Sequence, residues 1–136
     1  AHQAGEVPVG AVVVDKEGKI IGRGHNLVVA GHDPSGHAEI IALKNASQNL
    51  KNYRLDNCTI YVTLEPCPMC AGAIINSRIE NVYFGAYDKK SGCAGSVINL
   101  FESGMFNHNV NVTGGITEDK CASILTEFFR ELRKKK

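Results

Sequence analysis

The chain has 136 residues, a formal net charge of +1 and 43% hydrophobic residues. This composition fits a single folded domain over residues 1–136 and argues against disorder of the whole chain. No apolar run reaches the roughly 18 residues needed to cross a bilayer, and we expect no secretory signal, because no charged segment followed by an apolar one stands at the start. Five cysteines in such a chain favour metal or redox chemistry over a disulfide framework. We therefore expect a cytoplasmic protein.

The first half of the chain predicts a β-hairpin followed by a helix. The apolar run over residues 9–14 is typical of a strand covered on both faces. A turn at residues 15–18 and a returning strand over residues 19–28 complete the hairpin. After a loop rich in turn formers, apolar residues at helical spacing predict a helix over residues 37–50.

The second half predicts strands that alternate with helices. Residues 59–64 form a short β-rich run, and Pro68 suits the first turn of a helix that ends near Ser77. Residues 81–86 predict a strand, residues 88–96 a loop, and residues 110–113 a last strand. Thr117 can cap a final helix with an apolar stripe. This order, without repeats or a linker, predicts an α/β sandwich around a mixed sheet.

Four side chains in two short motifs can carry chemistry. His37 and Glu39 stand in His-Ala-Glu, and Cys67 and Cys70 stand in Pro-Cys-Pro-Met-Cys. Residues two apart on a helix point about 200° away from each other, so His37 and Glu39 can share a site only beyond the helix N-terminus. Pro68 places both cysteines at the first turn of their own helix. We expect two helix N-termini to face one metal ion and to favour thiolates.

An imidazole and two thiolates are three of the four ligands of a tetrahedral zinc ion. A catalytic zinc site leaves the fourth position to water, whose pKa the metal lowers toward about 7. Glu39 can then take up the proton of that water and pass it on. We therefore predict a hydrolytic zinc site with His37, Cys67 and Cys70 as metal ligands and Glu39 as the catalytic residue.

Other interpretations of these features stay open at this point. The cysteine pair could be a redox pair, or it could form a structural zinc site that recruits Cys58 or Cys93. Residues 130–136 hold five basic side chains and one acidic one. Such a tail can neutralise phosphates, or it can be a solvated terminus.

His-Ala-Glu followed thirty residues later by Pro-Cys-x-x-Cys resembles the cytidine-deaminase-like zinc hydrolases, for which this signature is well known. The similarity to the bacterial tRNA-specific adenosine deaminases within that superfamily extends over nearly the whole chain. The segments that resemble the family lie at residues 6–10, 26, 33–34, 53–55, 61–66, 71–74, 77–79, 84–86, 88, 95–96, 107–108 and 128–130.

The resemblance implies a fold, an activity and partners. The fold is a three-layer sandwich in which a mixed five-stranded sheet has helices on both faces. The activity is hydrolytic conversion of adenosine to inosine at the wobble position of a tRNA anticodon, with one zinc ion per chain. The implied partners are the anticodon stem-loop of an arginine tRNA and a second copy of the chain in a homodimer. An anticodon loop suits this chemistry because its bases are already unpaired.

The resemblance also implies the residues that bind RNA. Asn26 would contact the extruded purine, whereas without the family it is a turn residue after a strand. The residues implied to contact flanking nucleotides or to border the RNA groove are Asp88, Lys90, Asn107, Phe129 and Arg130.

The sequence departs from the family pattern at two places and leaves two other functions open. By comparison with the family pattern, we expect the additional helix that usually precedes residue 6 to be missing or cut short. Gly36 stands where a bulkier residue is common. A deaminase of free guanine or cytosine would share the zinc motif, but residues 88–96 and 128–136 favour a polynucleotide substrate. A catalytically silent RNA-binding subunit would not need Glu39.

Overall fold

The computed structural model describes residues 9–29, 31–102, 106 and 108–116. Neither described helix has the length and apolar character needed to cross a membrane. The elements in chain order are β1 (Gly10–Val14), β2 (Ile20–His25), α1 (Ala38–Leu50), β3 (Thr59–Leu64), α2 (Pro68–Asn76), β4 (Asn81–Ala86) and β5 (Asn111–Thr113).

The order of these elements confirms the prediction, and the end of β2 differs from it. β2 ends at His25 rather than at residue 28, because His25 pairs with Gly10, the first residue of β1. Beyond that pair, the amide of Leu27 donates to the carbonyl of Gly36 at 2.8 Å and turns the chain into the loop before α1. Strand length is therefore set by the neighbouring strand and not by the apolar run itself.

The sheet places three loops at one edge. Its strand order is β2-β1-β3-β4-β5. β1 is antiparallel to both of its neighbours, whereas β3, β4 and β5 are mutually parallel. The carboxyl ends of β2, β3 and β4 consequently lie at the same edge, where open α/β sheets usually bind their ligands.

The hydrophobic core lies between this sheet and the two helices. The register aligns Val13, Ile60 and Val82 across β1, β3 and β4, and all three side chains are fully buried. Ala42 of α1 and Ile74 of α2 belong to the same buried cluster. The described residues thus confirm an α/β fold with a mixed five-stranded sheet. The predicted final helix, from Thr117 onward, lies outside the described residues.

Two glycines of β2 allow α1 to lie directly on the sheet. A Cβ at Gly22 would come within 2.7 Å of the amide nitrogen of Ala46, and one at Gly24 within 2.7 Å of that of Ala42. A Cβ at Gly24 would also overlap the carbonyl oxygen of Ala38, at the start of α1. Real Cβ atoms do not approach backbone so closely. The position of the α1 N-terminus therefore depends on glycine at these positions.

We expect Gly24→Ala to lower the free energy of unfolding by about 2–3 kcal/mol, because α1 must move away from β2 to accept the methyl group. Gly72 provides the matched control, since a Cβ there meets no atom within 4 Å in the middle of α2. Gly72→Ala should leave stability unchanged or raise it by about 0.5–1 kcal/mol. Urea denaturation followed by circular dichroism measures both. Equal midpoints for the two variants would contradict the close packing of α1 on β2.

Candidate active site

The predicted catalytic motifs lie at the N-termini of the two helices. His37 is the N-cap residue of α1, with an extended backbone (φ −77, ψ 148). Cys67 is the N-cap residue of α2, with Pro68 as the first helical residue. Within the described residues, neither N-cap side chain makes a capping hydrogen bond to its own helix. Both side chains can therefore point away from their helices toward a common site.

The three predicted metal ligands converge. His37 Nδ1 lies 3.5 Å from Cys67 Sγ and 3.6 Å from Cys70 Sγ. Bonds of about 2.3 Å to sulfur and 2.0–2.1 Å to nitrogen at tetrahedral angles place these two atom types about 3.6 Å apart. All three ligand atoms lie within 4.8 Å of one another. Donor types and spacing both fit zinc, so the structure supports His37, Cys67 and Cys70 as the ligand set.

The pKa values of the two thiols, Cys67 and Cys70, are shifted in opposite directions. The thiol of Cys70 donates to Cys67, which lowers the pKa of Cys67 to about 5 and raises the pKa of Cys70. The N-terminus of α2 also favours negative charge at these positions. The lowered pKa of Cys67 favours its thiolate form, which is the form that binds zinc.

The other described cysteines are not part of this site. Cys58 and Cys93 are buried, and burial raises the pKa of both thiols. Their Sγ atoms donate to the carbonyl oxygens of Asp56 and Ser91. Among the described residues, neither joins the group of possible metal ligands. They are small buried side chains, and the described residues give no support to a structural zinc site that recruits Cys58 or Cys93.

Glu39 has the environment of a proton carrier. It lies in the first turn of α1, and its side chain is only 4% exposed. Burial raises the pKa of its carboxyl to about 7, although a hydrogen bond with Cys70 acts in the opposite direction. A carboxyl group with a pKa near neutral can both accept and release a proton under physiological conditions.

Asn26 supports the site from the end of β2. Its Oδ1 accepts a hydrogen bond of 2.8 Å from the amide of Ala38, the first residue of α1. Because an amide N–H can only donate, this contact fixes the side chain with its carbonyl toward the helix and its NH₂ group away from it. Asn26 thereby caps α1 in place of His37, whose ring stays free for the metal. The sequence does not predict this cap, because Asn26 follows β2 and is not next to α1 in the sequence.

The loop that follows β4 holds two of the predicted RNA contacts. Asp88 Oδ1 accepts from the amides of Lys90 and Ser91 at 3.0 and 3.2 Å, so the carboxylate shapes the loop itself. The Lys90 side chain is exposed. Further along, the amide of Cys93 donates to the carbonyl of Pro66 at 2.8 Å, next to the first cysteine ligand. The fold therefore brings this loop beside the metal-binding segment.

Three predicted RNA contacts, Asn107, Phe129 and Arg130, lie outside the described residues. Conversely, the sequence interpretation attached no role to Glu65, which is only 2% exposed. Its carboxylate accepts hydrogen bonds from the loop after β4. A glutamate between a strand and a proline has no distinctive pattern, and only the fold reveals its burial.

Comparisons with known proteins agree with this geometry. A family model for MafB19-like deaminases matches residues 1–133. Over 136 residues, the chain is 51% identical to the tRNA-specific adenosine deaminase of Haemophilus influenzae, covering all of this chain and 79% of the relative. The chain belongs to the tRNA-specific adenosine deaminases. The resemblance seen in the sequence motifs is therefore confirmed.

Solved structures share the fold of this deaminase. One, from studies of A-to-I editing by tRNA:A34 deaminases, superposes with a TM-score of 0.86 at 40% identity, covering 90% of this chain and 88% of the other. The guanine deaminase of Nitrosomonas europaea superposes with a TM-score of 0.76 at 27% identity, covering 88% and 71%. The fold is thus shared with enzymes that have different substrates, and both the TM-score and the identity are higher for the tRNA deaminase structure.

Proposed function

We propose that this chain converts adenosine to inosine at the wobble position of a tRNA anticodon by hydrolysis, with release of ammonia. The observation that carries the proposal is the convergence of His37, Cys67, Cys70 and Glu39 in a chain that is 51% identical to a tRNA-specific adenosine deaminase. Water attacks C6 of adenine, the C6–N bond breaks, and the ring keeps the oxygen.

Each group of the site has a chemical task in this reaction. His37, Cys67 and Cys70 would hold zinc, which supplies Lewis acidity and lowers the pKa of water. Glu39 carries one proton from the attacking water to the ring nitrogen. It then carries a second proton, from the new hydroxyl group at C6, to the departing amine, which leaves as ammonia. Its burial keeps competing water away from this proton transfer. Asn26 presents its NH₂ group as a donor to the base.

The substrate must place its adenine beyond the N-termini of the two helices. An unpaired base in an anticodon loop reaches such a site at a lower cost than a base in a duplex. The exposed Lys90, in the loop after β4, can neutralise a phosphate of the flanking backbone. We further propose an arginine tRNA as the substrate, a homodimer as the assembly and the cytoplasm as the location. Family resemblance supports all three, and the four described cysteines are free thiols.

A substrate panel tests the proposal. The zinc-loaded protein is incubated with an arginine-tRNA anticodon stem-loop that carries wobble adenosine, and in parallel with free adenosine, guanine and cytidine. A stem-loop with the same composition, in which the adenosine is paired in the stem, is the matched control. Inosine in the first stem-loop alone supports the proposal. Deamination of free guanine or cytidine instead would identify a deaminase of small molecules, and no product would identify a silent subunit.

The two roles of Asn26 can be separated by substitution. Asn26→Asp keeps an oxygen that accepts from the amide of Ala38 but removes the NH₂ donor. We expect kcat/KM on the stem-loop to fall about 10–100-fold, because the base loses one of its proposed hydrogen bonds to the protein. Thermal stability should stay unchanged, since the α1 cap remains.

Asn26→Ala removes both the cap and the donor. It should lose a similar factor in kcat/KM and, in addition, about 1 kcal/mol of stability. Steady-state kinetics and thermal denaturation of the two variants give the comparison. If Asn26→Asp keeps full kcat/KM, Asn26 is a helix cap only and does not contact the base.

A further inference from the structure

Glu65 is a buried carboxylate that the catalytic mechanism does not use. It follows Leu64, the last residue of β3, and precedes Pro66 and the ligand Cys67. Its side chain is 2% exposed. A buried carboxylate is stable only where hydrogen bonds replace the water that it has lost. The partners of Glu65 therefore indicate what it is for.

All of these partners come from one loop, residues 87–96. Oε1 accepts from the amide of Asp88 at 3.0 Å and from the hydroxyl of Ser96. Oε2 accepts from the amides of Ala94 and Ser96, at 2.9 and 3.0 Å. Each donor is a neutral group, and together they come from both ends of the loop. The Glu65 carboxylate thus makes hydrogen bonds along residues 87–96, which contain no strand or helix.

The loop packs directly against this carboxylate. A Cβ at Gly92 would overlap the Glu65 carboxylate and the carbonyl oxygen of Asp88. The amide of Glu65 also donates to the carbonyl of Ala86 at 2.8 Å, which joins the ends of β3 and β4. The amide of Cys93 likewise donates a hydrogen bond to the carbonyl of Pro66. The loop is therefore attached to the segment that carries the first cysteine ligand.

We propose that Glu65 is a positioning residue for RNA binding, which holds residues 87–96 at a fixed distance from the metal site. The inference rests on the proposed function, because Asp88 and Lys90 of this loop are the residues expected to contact nucleotides that flank the target base. Within the described part of the chain, the hydrogen bonds of the Glu65 carboxylate come from this loop and not from the proposed metal ligands. Its effect on the reaction is exerted through the placement of the loop, and hence on substrate affinity.

Glu65→Gln tests this role, because it preserves the size of the side chain but replaces one acceptor oxygen with a donor. We expect KM for the stem-loop to rise about tenfold, with kcat changed less than about threefold and zinc content unchanged. Amide hydrogen exchange in residues 88–96 should accelerate by about tenfold, while exchange in α1 stays the same. Glu80→Gln makes the same change at an exposed residue before β4 and should alter none of these quantities.

Ser96→Ala is a second, milder test in case Glu65→Gln does not fold. It removes only the hydroxyl donor to Oε1, so both KM and loop exchange should shift in the same direction by a smaller factor. Unchanged loop exchange or an unchanged KM in the folded Glu65→Gln variant would overturn the proposal. So would loss of zinc together with a fall in kcat, since this would make Glu65 a support of the metal site. If the wild-type protein does not deaminate the stem-loop, the proposed function fails, and hydrogen exchange still decides whether Glu65 holds the loop.

Discussion

Glu39→Gln should lower kcat for deamination of the anticodon stem-loop by about 10³-fold, within the range of 10²–10⁴ that general acid–base catalysis contributes. Glutamine has nearly the same shape, but it cannot take up a proton at neutral pH. The side chain is only 4% exposed and lies beside Cys70, so bulk solvent has little access to take over the proton transfer of the lost carboxyl group. KM should change little, because the group acts on protons and does not provide most of the RNA affinity.

Single-turnover measurement of inosine, together with metal analysis, separates catalysis from folding in this variant. Zinc content should stay at one ion per chain, since His37, Cys67 and Cys70 are unchanged. Glu17→Gln makes the same substitution at an exposed turn residue and should retain full activity. Loss of zinc from Glu39→Gln would instead make Glu39 a metal ligand, and retention of kcat would assign the proton transfer to another group.

Cys70→Ser should abolish activity by removing zinc. The Cys70 side chain is fully buried and lies 3.6 Å from His37 Nδ1, so no solvent-exposed donor can take its place. A serine hydroxyl does not ionise at neutral pH and is a poor zinc ligand. We expect zinc affinity to fall by more than the 10–100-fold typical of an outer-shell partner. A ligand that binds only the folded state raises the melting temperature. Zinc should therefore raise the melting temperature of the unsubstituted protein but not that of Cys70→Ser.

Cys58→Ser is the matched control for this experiment. It makes the same change at another buried cysteine, whose Sγ donates to the carbonyl oxygen of Asp56. This variant should keep its zinc and its activity, with at most a modest loss of stability. Zinc titration monitored by thermal denaturation measures both variants. Stoichiometric zinc in Cys70→Ser would contradict the ligand set, and loss of zinc in Cys58→Ser would restore the structural zinc interpretation.

Much of the site could be predicted from the sequence, because its signals are local. Pro68 predicts the start of α2, and its place between Cys67 and Cys70 puts both thiols at a helix N-terminus. The two-residue spacing of His37 and Glu39 requires a site beyond the start of α1, and the structure places His37 at that N-cap. Donor chemistry then indicates zinc, and the distances between the donors agree with it.

The features that could not be predicted from the sequence depend on contacts between residues far apart in the chain. β2 ends at His25, which pairs with Gly10, the first residue of β1. The apolar pattern of β2 alone does not predict this end. Asn26 reaches the start of α1 only because β2 and α1 pack together, and the family resemblance assigned it to the base alone.

The sequence by itself therefore predicted the order of the described elements, the three side chains that could hold a metal ion, and Glu39 as the proposed proton carrier. Only the tertiary structure decided how that site is supported: the cap from Asn26, the glycine contacts beneath α1, and the hold of Glu65 on the loop after β4. The physical reason is the range of the interactions. Helix starts and ligand spacing follow from neighbouring residues, whereas a buried carboxylate or a remote cap exists only once the strands are paired and the sheet edge has formed.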